Sequence, residues 1–124
     1  MQARILGALG PVSVLTLGGG GLGQLWGETT RAECVATVRE AVDGGITLLD
    51  MAPRYGDGEA ETVVGEAFAG RLPTGVRVTT KCFVGQTPPA AIAGHIRELL
   101  DASLKRLRVE ALDVFFLHSN ISPD

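Results

Sequence analysis

Ile46-Thr47-Leu48-Leu49-Asp50-Met51-Ala52-Pro53-Arg54-Tyr55-Gly56 decides how the rest of this chain is read. A β-branched and leucine run that stops at an acid and a proline reads as a strand covered on both faces. Asp50 then stands at the carboxyl end of a sheet, and Tyr55 lies on the loop just beyond. Parallel α/β folds carry their chemistry at such strand ends.

Upstream, Thr30-Arg31-Ala32-Glu33 is a capping box, and Val35, Val38 and Val42 keep helical spacing, so a helix is expected from Arg31 to about Asp43. Gly44-Gly45 ends it. Before that helix, turn signals at Leu9-Gly10-Pro11 predict a small hairpin followed by a first core strand from Val12 to Leu17. The glycine run Gly18 to Gly23 then allows a tight turn. Downstream, Ala60, Val63, Val64, Ala67 and Phe68 predict a second helix from about Glu59 to Phe68. Val76 to Thr80 predicts a third strand that delivers Lys81. Thr87-Pro88 opens a third helix that runs to about Arg106, and Ala111 to Leu117 forms a fourth strand that delivers His118. Alternating strands and helices imply a parallel sheet with right-handed crossovers and helices packed outside. Residues 1–124 read as one domain, with no linker.

Composition narrows the function. The chain has 124 residues, 45% hydrophobic and 20% charged, with a formal net charge of −3. Mean hydropathy is +0.23 and the pI is near 5.3. No run of ~18 apolar residues suggests a membrane span, and the first residues lack the apolar core of a signal peptide, so a cytoplasmic location is the default expectation. Without a basic stripe carrying interleaved aromatics, a nucleic-acid surface is not expected. Lys105, Arg106 and Arg108 read as a helix-end cluster that suits the dipole. Cys34 and Cys82 are far apart and lack histidines at ligand spacing, which makes them buried thiols and leaves no metal site. His95, mid-helix among polar neighbours, reads as a surface residue.

Asp50, Tyr55, Lys81 and His118 form the constellation of interest. Alone, each has an ordinary structural explanation: a turn former, a loop aromatic, a solvated lysine, a strand-end histidine. Together at consecutive strand ends they suit proton donation to a carbonyl oxygen. A phenol has a pKa of about 10, and a nearby ammonium favours its phenolate. Lys81 is expected to supply that ammonium, Asp50 to hold it, and His118 to donate to the same carbonyl oxygen. No nucleophile is needed, so a cofactor must supply electrons. Gly18-x-Gly20-x-x-Gly23 formally matches a dinucleotide fingerprint, but Gln24 to Thr29 separate it from the helix cap, and Asp50 lies too far on for a Rossmann unit.

These residues carry a family resemblance. The Leu15-x-Leu17-Gly18-Gly19 opening, the block from Gly45 to Gly56 with Glu61, the Thr80-Lys81 pair, and Ser103-Leu104-x-Arg106-Leu107 leading to Asp113 and Leu117-His118 resemble the aldo-keto reductases. The resemblance implies NADPH-dependent reduction of an aldehyde or ketone, with NAD left open as cofactor. It assigns Tyr55 as general acid, with Asp50, Lys81 and His118 around it. It also implies cofactor contacts at Gly20 and Asp50. Trp26 reads evenly as a substrate-pocket wall or as a cover over the mouth of the fold.

Such enzymes are (β/α)8 TIM barrels of about 250 residues or more. The expected fold is therefore the amino-terminal half of a barrel, with four parallel strands and three outer helices after a hairpin, truncated after the fourth strand. The isolated chain is expected to be weakly active or inactive. The alternative is a non-catalytic half-barrel that acts as a binding or self-associating module. Inward-facing Leu15, Leu17, Leu48, Val78 and Phe115 and open edges would then favour a homodimer.

Overall fold

A computed structural model of the chain describes residues 1–119. Strands β1 (Ala3–Ile5) and β2 (Pro11–Ser13) pair antiparallel around a 3₁₀ turn at Gly7–Leu9. A four-stranded parallel sheet follows in the order β3 (Leu17–Gly18), β4 (Leu48–Asp50), β5 (Arg77–Cys82) and β6 (Val114–Leu117). The connections carry α1 (Arg31–Asp43), α2 (Glu59–Phe68) and α3 (Ile92–Leu107). This is the expected half-barrel order.

The helix ends follow from local chemistry. The Thr30 hydroxyl accepts from the Glu33 amide at 3.2 Å, and the Glu33 carboxylate accepts from the Thr30 amide at 2.8 Å. Both halves of the capping box are thus present. Thr87 does not cap α3, because its hydroxyl donates to the Val84 carbonyl at 2.5 Å. Pro88 and Pro89 start a 3₁₀ turn instead, and the α-helix begins at Ile92.

The first core strand is shorter than expected. Val12 and Ser13 belong to the hairpin, and Leu15 lies in an exposed bend. Ser13 and Thr47 exchange hydrogen bonds, each backbone amide donating to the other's hydroxyl at 2.8 Å. That exchange docks the hairpin where the chain enters β4.

The core lies between the outer sheet face and the helices. It contains Leu49 and Val78 from the sheet, Val38 from α1, Val63 and Val64 from α2, and Leu107 from α3. Register shows which side chains point which way: Leu17, Leu49 and Val78 are matched across three strands, as are Thr80 and Phe115 across β5 and β6. Because strand residues alternate, Leu17, Val78 and Phe115 face the helices rather than the barrel interior expected of them. The inner face instead carries Leu48, Asp50, Thr79, Lys81, Val114 and Phe116, which line one cavity.

Glu61 on α2 is fully buried, yet both carboxylate oxygens are satisfied. Thr80 donates a hydrogen bond to it at 2.6 Å, and Arg106 donates through Nε at 2.6 Å. Arg106 is therefore a cross-helix partner of Glu61 rather than a dipole cation. Its passage is close: a Cβ on Gly65 would meet the Arg106 carbonyl oxygen at 2.1 Å. At the other end of β5, Asp113 accepts from Arg77 and from the Val78 amide, both at 3.2 Å, which sets the start of β6 beside it. Cys34 and Cys82 are buried free thiols, and His95 is a partly exposed residue 3.9 Å from Glu98. No helix of the described residues is long and apolar enough to cross a membrane.

Candidate active site

Three parallel strands bring Asp50, Lys81 and His118 to one end of the sheet. Asp50 ends β4, Lys81 is the penultimate residue of β5, and His118 follows β6, where its backbone amide donates to the Cys82 carbonyl at 2.6 Å. Asp50 and Lys81 lie on the inner face by strand alternation, and His118 borders the same cavity.

Tyr55 reaches this group on a tightly folded loop. Its amide donates to the Ala52 carbonyl at 3.0 Å, and the Gly58 amide donates to the Pro53 carbonyl at 2.7 Å. The loop needs Gly56 and Gly58, whose φ angles of 69° and 89° lie in the left-handed region. The glycine run before α1 lies directly against it. A Cβ on Gly19 would meet the Tyr55 ring at 3.2 Å, and one on Gly23 would meet the Tyr55 carbonyl carbon at 2.3 Å. Those two glycines therefore make room for the tyrosine. Gly20 serves differently, since it is buried under the Trp26 ring, where a Cβ would meet the indole at 2.6 Å.

Lys81 is the hub. Its ammonium donates to both Asp50 oxygens at 3.0 Å, to the Met51 carbonyl at 2.7 Å and to the Tyr55 hydroxyl at 3.4 Å. Thr79 adds a donor to Asp50 at 2.7 Å. The carboxylate thus fixes the ammonium by charge-assisted hydrogen bonds, and the ammonium fixes the phenol oxygen. The ammonium also lies 4.9 Å from the centre of the Tyr55 ring, and the His118 ring meets that ring edge-on at 5.9 Å. All four expected residues are brought together.

Burial, then the positive charges of Lys81 and Arg54, hold the His118 imidazole below its usual pKa of 6.5, against a weaker opposing pull from Asp50. His118 is therefore neutral at neutral pH and keeps a single ring N–H. Its Nδ1 is buried without a hydrogen-bond partner among the described residues. In front of this group is an open cavity of about 700 Å³, lined by Asp50, Thr79, Lys81, Val114, Phe116 and His118 among others. His118 and Lys81 both border this space, which places an imidazole and a fixed ammonium beside it.

Trp26 and Gly20 do not line that cavity. Trp26 is 81% exposed and borders a separate hollow of about 280 Å³ with Leu22, Cys34 and Thr37, on the α1 side of the sheet. The site also contains two contributors that the sequence reading did not single out, Thr79 and Arg54. Thr79 was read only as a strand residue, although its alternation with Lys81 on β5 was a signal. Arg54, beside Tyr55, reaches over Phe83. Among the described residues no cluster of His, Cys, Asp or Glu could hold a metal ion.

Comparison with known proteins gives a consistent family. Residues 14–123 match the aldo/keto reductase family. The chain is 33% identical to L-galactose dehydrogenase of Arabidopsis thaliana over 121 residues, covering 95% of this chain and 38% of that protein. It is 35% identical to methylglyoxal reductase YeaE of Escherichia coli over 118 residues, covering 95% of this chain and 40% of that protein. Among solved structures, an aldo-keto reductase from Klebsiella pneumoniae in complex with NADPH superposes with a TM-score of 0.79 at 30% identity, over 98% of this chain and 41% of that one. The chain therefore spans about 40% of the length of such relatives. With strand order, site geometry and sequence in agreement, this chain belongs to the aldo/keto reductase family.

Proposed function

We propose that this chain carries the proton-donating site of an NADPH-dependent reductase of aldehydes or ketones. The observation that carries this reading is the Lys81 ammonium, which joins Asp50, the Met51 carbonyl and the Tyr55 hydroxyl in one cluster at the strand ends. NADPH, when bound, supplies a hydride to the carbonyl carbon. The residues present fit such a cofactor, because Asp50, Lys81 and His118 border one open cavity at the strand ends. Asp50 is the contact this chain offers to it; Gly20, beneath Trp26, is not presented to the cavity.

Tyr55 gives its hydroxyl proton to the carbonyl oxygen as negative charge develops there. The fixed ammonium of Lys81 stabilises the phenolate left behind, and neutral His118 orients the carbonyl by hydrogen bonding. Removing the acidic proton in Tyr55→Phe should lower carbonyl reduction by at least ~10²-fold with little change in folding. NADPH oxidation against a panel of aldehydes, on this chain and on longer forms, measures it. A variant that retains near-normal turnover removes Tyr55 from the mechanism.

A second reading rests on the inner face. Val114 and half-exposed Phe116 border the cavity without a covering layer among the described residues, while β3 and β6 are the edges of the described sheet. On its own, the chain would then self-associate and show weak activity or none.

A further inference from the structure

Next to the main cavity lies a smaller one of about 260 Å³, lined by Pro53, Arg54, Lys81, Phe83, Leu99 and His118. Its walls are apolar on the Pro53, Phe83 and Leu99 sides and cationic on the other. The two cations differ in their engagements. Lys81 is committed to Asp50, Met51 and Tyr55, whereas Arg54 makes no salt bridge among the described residues. Arg31, Arg77 and Arg106 each hold a carboxylate instead. The Arg54 guanidinium carbon sits 4.6 Å from the centre of the Phe83 ring, a cation–π contact that holds the planar fork in place while leaving its N–H groups free to donate.

We propose that Arg54 is a specificity-determining residue that binds an anionic group, a carboxylate or a phosphate, carried by the carbonyl substrate. A guanidinium pairs with either oxyanion through two parallel hydrogen bonds, which a solvated lysine cannot match in geometry. The two cavities share Lys81 and His118, so an anion at Arg54 adjoins the place where the carbonyl oxygen would be received. The positive charge of Arg54 is felt at His118, which makes the histidine a reporter for occupancy. This inference deepens the reductase reading by naming the substrate class, and it can be tested without turnover.

The experiment follows the His118 imidazole by NMR across pH in the 124-residue chain, at ionic strength held constant with chloride. Pyruvate, pyruvamide and inorganic phosphate are titrated in separate arms. Pyruvate should raise the His118 midpoint saturably and neutral pyruvamide should not. A stronger response to phosphate than to pyruvate would assign the subsite to phosphorylated carbonyl compounds, and the reverse order to oxo acids. Arg54→Gln should raise the midpoint without ligand and weaken anion binding about tenfold or more, the scale of a hydrogen bond to a charged group. Arg54→Lys should keep the unliganded midpoint and recover only part of the affinity. An equal pyruvate response in Arg54→Gln, an equal response to pyruvamide, or no saturable response would overturn the proposal. Intact anion binding without NADPH oxidation in any longer form would instead count against the reductase reading alone.

Discussion

Removing the Arg106 side chain should destabilise the fold far more than an ordinary partly exposed substitution. The reason is that Glu61 has no exposed surface and depends on two donors, the Thr80 hydroxyl and Arg106 Nε, both at 2.6 Å. In Arg106→Ala the carboxylate keeps only Thr80, and a buried pair broken on one side costs about 3–5 kcal/mol. Arg106 is itself 29% exposed, so water can reach part of the vacated space, which places the expected loss near the low end, about 3 kcal/mol. The Arg31–Glu59 pair between α1 and α2 provides the contrast. It is as short, at 2.5 Å, but its side chains are 50% and 20% exposed, so Arg31→Ala should shift the urea midpoint far less than Arg106→Ala. Urea denaturation followed by circular dichroism reads both. Pairing Arg106→Ala with Glu61→Gln should recover stability relative to Arg106→Ala alone, because the amide takes no uncompensated charge into the core. If Arg106→Ala lies within 1 kcal/mol of the parent chain, or the amide rescues nothing, the carboxylate is not isolated as described.

Gly23→Ala would drive a methyl group into the Tyr55 backbone at 2.3 Å and should destabilise by about 1–3 kcal/mol, whereas Gly18→Ala opens into free space and should leave the urea midpoint nearly unchanged. Equal effects from the two would mean that the glycine run is not what shapes the tyrosine loop. Lys81→Met keeps the stem but deletes the charge beside the Tyr55 hydroxyl, so both turnover and the pH profile of kcat/KM should change; an unaltered profile would exclude that charge from proton transfer. His118 titrates below 6.5 when folded, so the unfolded chain binds more protons between the two values. Stability from this group is full above the unfolded pKa and is lost as pH falls from there through the folded value. His118→Gln should flatten that part of the curve of urea midpoint against pH, and a slope equal to the parent's would refute the assignment. Light scattering behind size exclusion tests self-association, which a monomer with micromolar or tighter NADPH affinity would rule out.

What the sequence determined by itself is mainly what depends on short reach. Thr30 and Glu33 are three residues apart, Gly44-Gly45 follows the last turn directly, and the α2 stripe from Ala60 to Phe68 shows its helical period without any neighbour. Those features placed α1 and α2 to the residue. The chain order of strands and helices also implied the sheet, since parallel neighbours joined by right-handed crossovers leave few alternatives, and three sheet positions carried Asp50, Lys81 and His118 to one end.

Only tertiary structure decided which face of each strand was inward. Alternation ties Val78 to Thr80 and Thr79 to Lys81, but a period of two gives two faces and does not name the one the helices cover. Register with Leu49 sends Val78 to the helices and leaves Thr79 beside Asp50. Pairings between distant residues were equally hidden: Arg106 lies 45 residues from Glu61, and nothing near it in the chain distinguishes a buried partner from a helix-end cation. Gly19 and Gly23 make the same point, because a glycine run looks alike whether it meets a phosphate, a tight turn or, as here, the backbone and ring of Tyr55. Trp26 could be placed only once the loop had folded over Gly20, on the α1 side of the sheet and away from the cavity that Asp50, Lys81 and His118 border, since the direction of a loop side chain depends on what its neighbours leave open.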